Sequence, residues 1–262
     1  MAPKLTWRTA LLGHWPEYLI EAWALGMFMV SASLFTLWFE QPGSALNRAI
    51  VNSDVRRGLI GLAMGMTAIL LIYSPWGKRS GAHMNPAVTV AFLSLGRIEP
   101  WDALFYVLAQ FLGGALGVLL VWSLYGEAFA APPVGFIATL PGPAGIGAAF
   151  AAETAMSMAL MFAVLMVSRH ELRYTGVVAG ILVASFITFE APLSGMSINP
   201  ARTLASALPG GLWHAIWIYF TAPVLGMWAA TRLYNLSDPN RGCARLSTHS
   251  VTFPCIHCGY TP

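Results

Sequence analysis

The sequence predicts an all-α membrane protein: six transmembrane helices plus two re-entrant half-helices, arranged as an inverted three-helix repeat. Three observations carry this. Of the 262 residues, 57% are hydrophobic and only 10% are charged, against about 25% charged in soluble domains. With a mean hydropathy of +0.65, the chain falls in the membrane class before any residue-level argument. Second, two stretches share one pattern, Ser80-Gly-Ala-His-Met-Asn-Pro-Ala-Val-Thr and Ser194-Gly-Met-Ser-Ile-Asn-Pro-Ala-Arg-Thr, one in each half. Third, each half contains an odd number of full spans, so the second sits inverted relative to the first.

Taken in order, the first span is Tyr18 to Trp38, an apolar run broken only by Glu21. A polar loop follows with Pro42, Asn47, Arg48, Asp54, Arg56 and Arg57. Gly58 to Trp76 is the second span, and Lys78-Arg79 precedes the first Asn-Pro-Ala segment. Ala103 to Tyr125, without a charge, is the third span. Four Pro and three Gly between Gly126 and Pro143 mark the loop that joins the halves. Ala144 to Val167 then spans with one charge, Glu153. Tyr174 to Phe189 is the fifth span, Glu190 and the second Asn-Pro-Ala follow, and Leu212 to Ala230 is the sixth.

Asn before Pro is a helix-start signal, with Asn as N-cap and Pro at the first helical position. Asn85-Pro86-Ala87 and Asn199-Pro200-Ala201 each open a short apolar stretch, Pro86 to Leu95 and Pro200 to Leu208. At ~1.5 Å rise per residue each is roughly 15 Å long, half of a ~30 Å hydrocarbon core. Two such half-helices, one per repeat, point to a pore that they enter from opposite faces.

Charge sets the orientation. Lys4, Arg8, Lys78, Arg79, Arg97, Arg169, Arg173, Arg232, Arg241 and Arg245 fall on one side, ten against four on the other (Arg48, Arg56, Arg57 and Arg202). The positive-inside rule puts both termini in the cytoplasm. The expected organisation is a cytoplasmic N-terminal segment (1–17), a channel domain (18–236, repeats about 18–125 and 144–236) and a cytoplasmic tail (237–262). A net charge of +3 with dispersed Lys and Arg argues against nucleic-acid partners. The polar, basic start shows no cleavable signal pattern.

These residues resemble the aquaporin, or major intrinsic protein, family. The resemblance rests on SGAHMNPAVTV, SGMSINPARTLASAL, one Glu in the first span of each half, and Ala-Gln-Phe-Leu-Gly-Gly in the third span. It covers about Tyr18 to Leu236. It implies a bundle of six tilted helices and two half-helices in a cell (inner) membrane, commonly a homotetramer with one pore per subunit. It also implies water and small neutral solutes as permeants, and no cofactor.

Each Asn can cap its half-helix through its carboxamide oxygen and still present its NH2 group. Set tip to tip, Asn85 and Asn199 offer donors to one passing oxygen at the pore centre. The two helix N-termini add roughly half a positive charge each, which repels cations, hydronium included. Arg202 lies one turn along the second half-helix, and the resemblance assigns it to the outer constriction. Glu21 and Glu153 are read as structural braces for the backbone leading into each half-helix, since non-helical backbone at membrane depth must be satisfied internally. His83 is read as a neutral brace, and Gln110 as a helix-packing hydrogen bond or a brace.

The chain also departs from the family. Water-selective members pair the outer Arg with an aromatic on the second span and a His on the fifth. By analogy these positions fall on Met64 or Gly65, and on Ile187, with Met196 near the second half-helix. One strong donor in apolar walls argues against strict water selectivity. Thr203, where glycerol-conducting relatives typically carry Asp, and Tyr219-Phe220, which resembles the aromatic pair of water channels, pull the other way. The reading is a water channel that also passes some small uncharged solutes; the alternatives are a glycerol or small-solute facilitator and a non-conducting scaffold.

In the tail, Cys243, His249, Cys255, His257 and Cys258 are metal-donor types, with Cys255 and Cys258 at Cys-x-x-Cys spacing. A second clean Cys-x-x-Cys is missing. The expectation is therefore a disordered tail with reduced thiols and no metal; the alternative is zinc on Cys243, His249, Cys255 and Cys258. Gly259 after Cys258 excludes haem attachment. An intramembrane enzyme would need a metal cluster or nucleophile–base pair within the spans, and His14, His170 and His214 are scattered near span ends. An ion channel is disfavoured by the two positive helix ends and Arg202.

Overall fold

Thr6 starts the first helix. Its Oγ1 accepts from Thr9 N–H (3.3 Å), and Thr9 Oγ1 accepts from Thr6 N–H (2.9 Å), a reciprocal cap. Helix α1 therefore covers Trp7–Glu40, and most of the expected N-terminal segment forms its first turns. In the computed structural model, residues 5–237 and 242–262 are described; Lys4 and Arg241 of the charge count lie outside the described residues. Helix α2 (Ala45–Ala49) leads into α3 (Ser53–Tyr73). The second span stops short of Trp76 because Ser74 caps a new helix with Pro75 at its first position, α4 (Pro75–Ser80).

The first half continues with α5 (Pro86–Ser94) and α6 (Pro100–Tyr125). A short α7 (Glu127–Ala130) lies in the joining loop. The second half is α8 (Gly145–Glu171), α9 (Thr175–Ser194), α10 (Pro200–Gly210) and α11 (Ile216–Ser237). The sixth span starts at Ile216, later than expected. Leu212 is spent on closing α10: its N–H donates to Ala207 O (3.0 Å) while Gly211 takes a left-handed φ of 63°.

The inverted repeat is visible in the packing. Helices α1 and α6 start at the same end, where His14 Nδ1 meets Asp102 Oδ1 at 2.8 Å. A Cβ on Gly113 would come within 2.0 Å of Ala22 O, so only glycine permits this crossing. Helices α8 and α11 repeat it, with Gly226 against Thr154 O (2.2 Å to an added Cβ). Between the halves, α3 and α9 run antiparallel: Arg57 donates to Thr188 O at one end and Tyr73 to Arg173 O at the other. Small residues at such crossings let helices approach where hydrocarbon supplies no hydrophobic drive.

Outward faces are apolar. Along α6, Leu104, Leu108, Leu112, Leu116, Leu120 and Leu124 form an exposed stripe, and Trp38, Trp76, Trp101, Trp122 and Trp213 are exposed near helix ends, as in interfacial aromatic belts. Helices α1, α3 and α6 and the stretch Gly145–Ser194, which holds α8 and α9, are long and apolar enough to cross a membrane. The chain is a multi-pass membrane protein.

The tail corrects an expectation. A short tail without a second Cys-x-x-Cys is expected to be disordered, yet residues 242–262 pack against the end of the bundle formed by α3, α4 and the loop after α4. Leu246 N–H donates to Gly81 O (3.0 Å), Arg245 Nη2 to Lys78 O (3.1 Å) and Ser247 Oγ to Ile72 O (3.3 Å). These bonds use backbone carbonyls, which carry no sequence signature.

Candidate functional site

The two half-helices meet at their N-termini. Asn85 Oδ1 accepts from Ala87 N–H (2.8 Å), capping α5. Asn199 Oδ1 accepts from Ala201 N–H (3.0 Å) and Arg202 N–H (3.2 Å), capping α10. Pro86 and Pro200 occupy the first helical positions, and Ala87 and Ala201 are fully buried behind them. Each Asn then reaches across: Asn85 Nδ2 donates to Ile198 O (2.7 Å), and Asn199 Nδ2 to Met84 O (2.8 Å). One N–H of each carboxamide is thereby committed, leaving one to offer.

The loops before each Asn are strained in the same way. Positive φ occurs at Gly81 (96°), Ala82 (56°) and Met84 (49°), and again at Gly195 (81°), Met196 (48°) and Ile198 (49°). For side-chain-bearing residues each costs on the order of 1–3 kcal/mol and persists only where surroundings over-determine it. A buried carboxylate does that in each half. Glu21 accepts from Ser80 Oγ (2.8 Å), His83 N–H (3.0 Å), Met84 N–H (2.7 Å) and Gln110 Nε2 (2.8 Å). Glu153 accepts from Ser194 Oγ (2.7 Å), Ser197 N–H (2.7 Å) and Ile198 N–H (2.6 Å).

Around these anchors the halves diverge. Gln110 also donates to Thr89 Oγ1 (3.1 Å), which contacts His83 Nδ1 (3.1 Å). Ser197 stands where His83 stands in the other loop, and it bonds Thr203, which bonds Thr139. Thr203 thus serves a buried hydroxyl chain. Sequence reasoning missed Tyr106, and read Tyr219 only as half of an aromatic pair; their hydroxyls donate to the carbonyls of Ser80 (2.7 Å) and Ser194 (2.5 Å). Their equivalent places on α6 and α11 were the available signal. Phe220, beside Tyr219, stacks on Phe111 instead.

A cavity of about 470 Å³ runs past both Asn. Arg202, Ile187, Met196 and Met64 line it together with Asn85, Asn199 and His83. Arg202 Nη1 donates to Ile137 O (2.9 Å), so the joining loop folds over this part of the cavity and fixes the guanidinium. Gly65 does not line the cavity. It faces α9, where an added Cβ would sit 2.5 Å from Gly180 O; of the two second-span candidates the cavity takes Met64, one position round the helix. Among the described residues the one carboxylate lining the cavity is Glu40, which Arg56 pairs at 2.9 Å.

A family model described as major intrinsic protein matches residues 10–234. The chain belongs to the major intrinsic protein family. The Archaeoglobus fulgidus protein named probable aquaporin AqpM is 36% identical to this major intrinsic protein over 230 residues, 82% of this chain and 93% of that one. Aquaporin NIP1-1 of Zea mays is 33% identical over 224 residues, covering 84% and 77% of the two chains. Against aquaporin NIP1-2 of Arabidopsis thaliana, 33% identical over 184 residues, the chain spans only 62% of the relative's length. Among solved structures, the aquaglyceroporin of Plasmodium falciparum superposes with a TM-score of 0.70 at 20% identity, over 84% of this chain and 95% of that one. At that identity the likeness speaks to the fold alone, an aquaporin fold.

The tail of this family member adds contacts at the same end of the bundle as His83. Its Nε2 meets Ala244 O at 3.0 Å, and its ring stacks on His257 (centroids 5.6 Å apart). His257 Nε2 lies 3.0 Å from Ser80 O. Burial pushes the His257 pKa down to about 4, so the neutral ring donates there. Cys243, His249, Cys255 and Cys258 come together, with donor atoms all within 4.8 Å of one another.

Proposed function

We propose that this chain is a passive channel for water that also passes small uncharged solutes and rejects protons and ions. The observation that carries this reading is the cavity passing both asparagines, each with one carboxamide N–H uncommitted. A water at that point accepts from both, so its lone pairs are engaged and it accepts no proton from its neighbour in the file. The N-termini of α5 and α10 add positive potential at the same place. Arg202 adds a fixed cation farther along, and the buried Glu21 and Glu153 are spent on backbone N–H groups instead of facing permeants. Glu21 and Glu153, committed in this way, are not free to act as a catalytic acid and base, which favours a channel over an enzyme.

The intended setting is a cell membrane with both termini cytoplasmic, supported by Lys78, Arg79, Arg97, Arg169, Arg173 and Arg232 at the end of the bundle that holds the tail. A homotetramer is proposed from family membership, with the exposed leucine stripe of α6 as a lipid or subunit face. The 18–236 channel domain and the cytoplasmic tail remain the proposed division.

A second reading, a facilitator of glycerol or similar solutes, is favoured by Ile187, Met196 and Met64 as apolar walls of the cavity that Arg202 also lines. Reconstituted vesicles under osmotic shock separate the two by light scattering. A water channel gives fast shrinkage in sucrose and slow re-swelling in glycerol; fast re-swelling assigns the facilitator. Water permeability equal to that of empty liposomes, with no solute uptake, overturns both and leaves the scaffold.

A further inference from the structure

The tail gathers three thiols and one imidazole that the channel reading does not use. Cys243 Sγ and Cys255 Sγ are 3.5 Å apart, and His249 Nε2 lies 3.1 Å from Cys258 Sγ. A tetrahedral zinc with Zn–S of ~2.3 Å and Zn–N of ~2.0 Å sets its donors about 3.5–3.8 Å apart. The four donor atoms, all within 4.8 Å, need only sub-ångström adjustment to meet that. Cys255 and Cys258 hold the Cys-x-x-Cys spacing, and Gly259 follows with φ of 70° and its N–H on Cys255 O (2.9 Å). That is a tight turn that returns both sulfurs to one side.

The surroundings explain why a cross-link belongs there. Among the described residues 242–262 there is no helix or strand. A segment so short cannot bury a core of its own, and such pieces need a disulfide or a metal to hold shape. Two separate parts of it nonetheless grip the loop before α5: Ala244 and Leu246 next to Cys243, and His257 between Cys255 and Cys258. Arg79 adds a third hold, its guanidinium 4.1 Å over the Phe253 ring.

We propose that Cys243, His249, Cys255 and Cys258 bind one zinc ion, which fastens the tail to the loop leading into the first half-helix. Binding converts the three thiols to thiolates, their protons passing to solvent, with a neutral imidazole as fourth ligand. A disulfide is the poorer use of the set. It would join two of the thiols and leave a third thiol and the imidazole idle, and the cytoplasm keeps thiols reduced. Through the strap, the metal also holds Leu246, which lines the end of the central cavity.

The test uses full-length protein purified in detergent through a tag without histidine. Elemental analysis is expected to return about one zinc per chain, falling to background in Cys255→Ser/Cys258→Ser. Trypsin is expected to spare Arg245, buried under the strap, in the zinc-loaded protein and to cleave after it once a chelator has removed the metal. Should the double variant fail to fold, the wild-type zinc content and a competitive zinc titration still decide. Wild-type protein without zinc that also takes up none on titration overturns the proposal. So do zinc retained by a folded double variant, iron in place of zinc, and an intact mass lowered by two hydrogens, which marks a disulfide.

Discussion

Asn85 and Asn199 hold each other's loops: each donates one carboxamide N–H to the carbonyl of the residue just before the other, at 2.7 and 2.8 Å. The cross-tie makes the pore centre one unit built from both repeats. Replacing Asn85 by Ala removes a cap, the cross-tie to Ile198 O and one donor to the permeant. The cap and the orphaned carbonyl together cost about 2 kcal/mol, read as a lowered Tm in detergent. The lost donor raises the transit barrier by about 1.4 kcal/mol, roughly a tenfold fall in water permeability. Unchanged stability would contradict the cross-tie.

The two buried glutamates are expected to differ in their tolerance of amide substitution. In Glu21→Gln the new NH2 can donate to Gln110, whose Oε1 has no partner among the described residues and whose amide can flip. One backbone N–H is then orphaned. Among the described residues Glu153 accepts only from Ser194, Ser197 and Ile198, and the Ser194 hydroxyl is shared with Glu190, so Glu153→Gln orphans a backbone N–H and has no neighbouring amide that can flip to meet the new NH2. Its loss is expected to exceed that of Glu21→Gln by about 1–2 kcal/mol. Equal losses, or the reverse order in thermal unfolding, would show that Gln110 is no partner of Glu21.

How much of this was legible in sequence follows from which atoms do the work. The half-helices were readable because Asn-Pro specifies a cap and a first helical position through residue identity. The carboxylate anchors were readable because Glu21 and Glu153 are isolated charges in apolar runs. Contacts made by backbone carbonyls were not. Ile137 O on Arg202, Gly81 O on Leu246 and Ser80 O on Tyr106 leave no trace in residue type. The tail failed for this reason: a short segment with an incomplete Cys motif reads as disordered, while its carbonyl and ring contacts bind it to the bundle. The second-span register stayed open between two residues for another reason. Met64 and Gly65 differ by one step on a helix, and only the close approach of α9 at Gly180 decides which faces inward.

That register has its own test. Gly65→Ala puts a methyl 2.5 Å from Gly180 O and 2.8 Å from the Ala184 side chain, and overpacking of this kind costs about 1–3 kcal/mol. Tm should fall while the ratio of glycerol to water permeability stays near wild type in protein that folds. Met64→Ala should widen the cavity and raise that ratio, and because Met64 is buried it should lower stability as well, by about 2 kcal/mol or more. A selectivity change from Gly65→Ala, with none from Met64→Ala, would reverse the register.

Ile187 lines the cavity together with Arg202, at the place where the family resemblance expects a histidine. Ile187→His exchanges an apolar wall for a ring that fills more of the passage and offers a second donor opposite the guanidinium. Water can use that donor at once, whereas a polyol must also fit its carbon chain past the ring. The variant is therefore expected to lower glycerol permeability by roughly tenfold, about 1.4 kcal/mol of added barrier, with water permeability held within a factor of about two. Stopped-flow scattering with sucrose and glycerol gradients on the same vesicles gives both numbers. A glycerol-to-water ratio equal to that of wild type would remove Ile187 from the constriction and leave selectivity to Met196 and Met64.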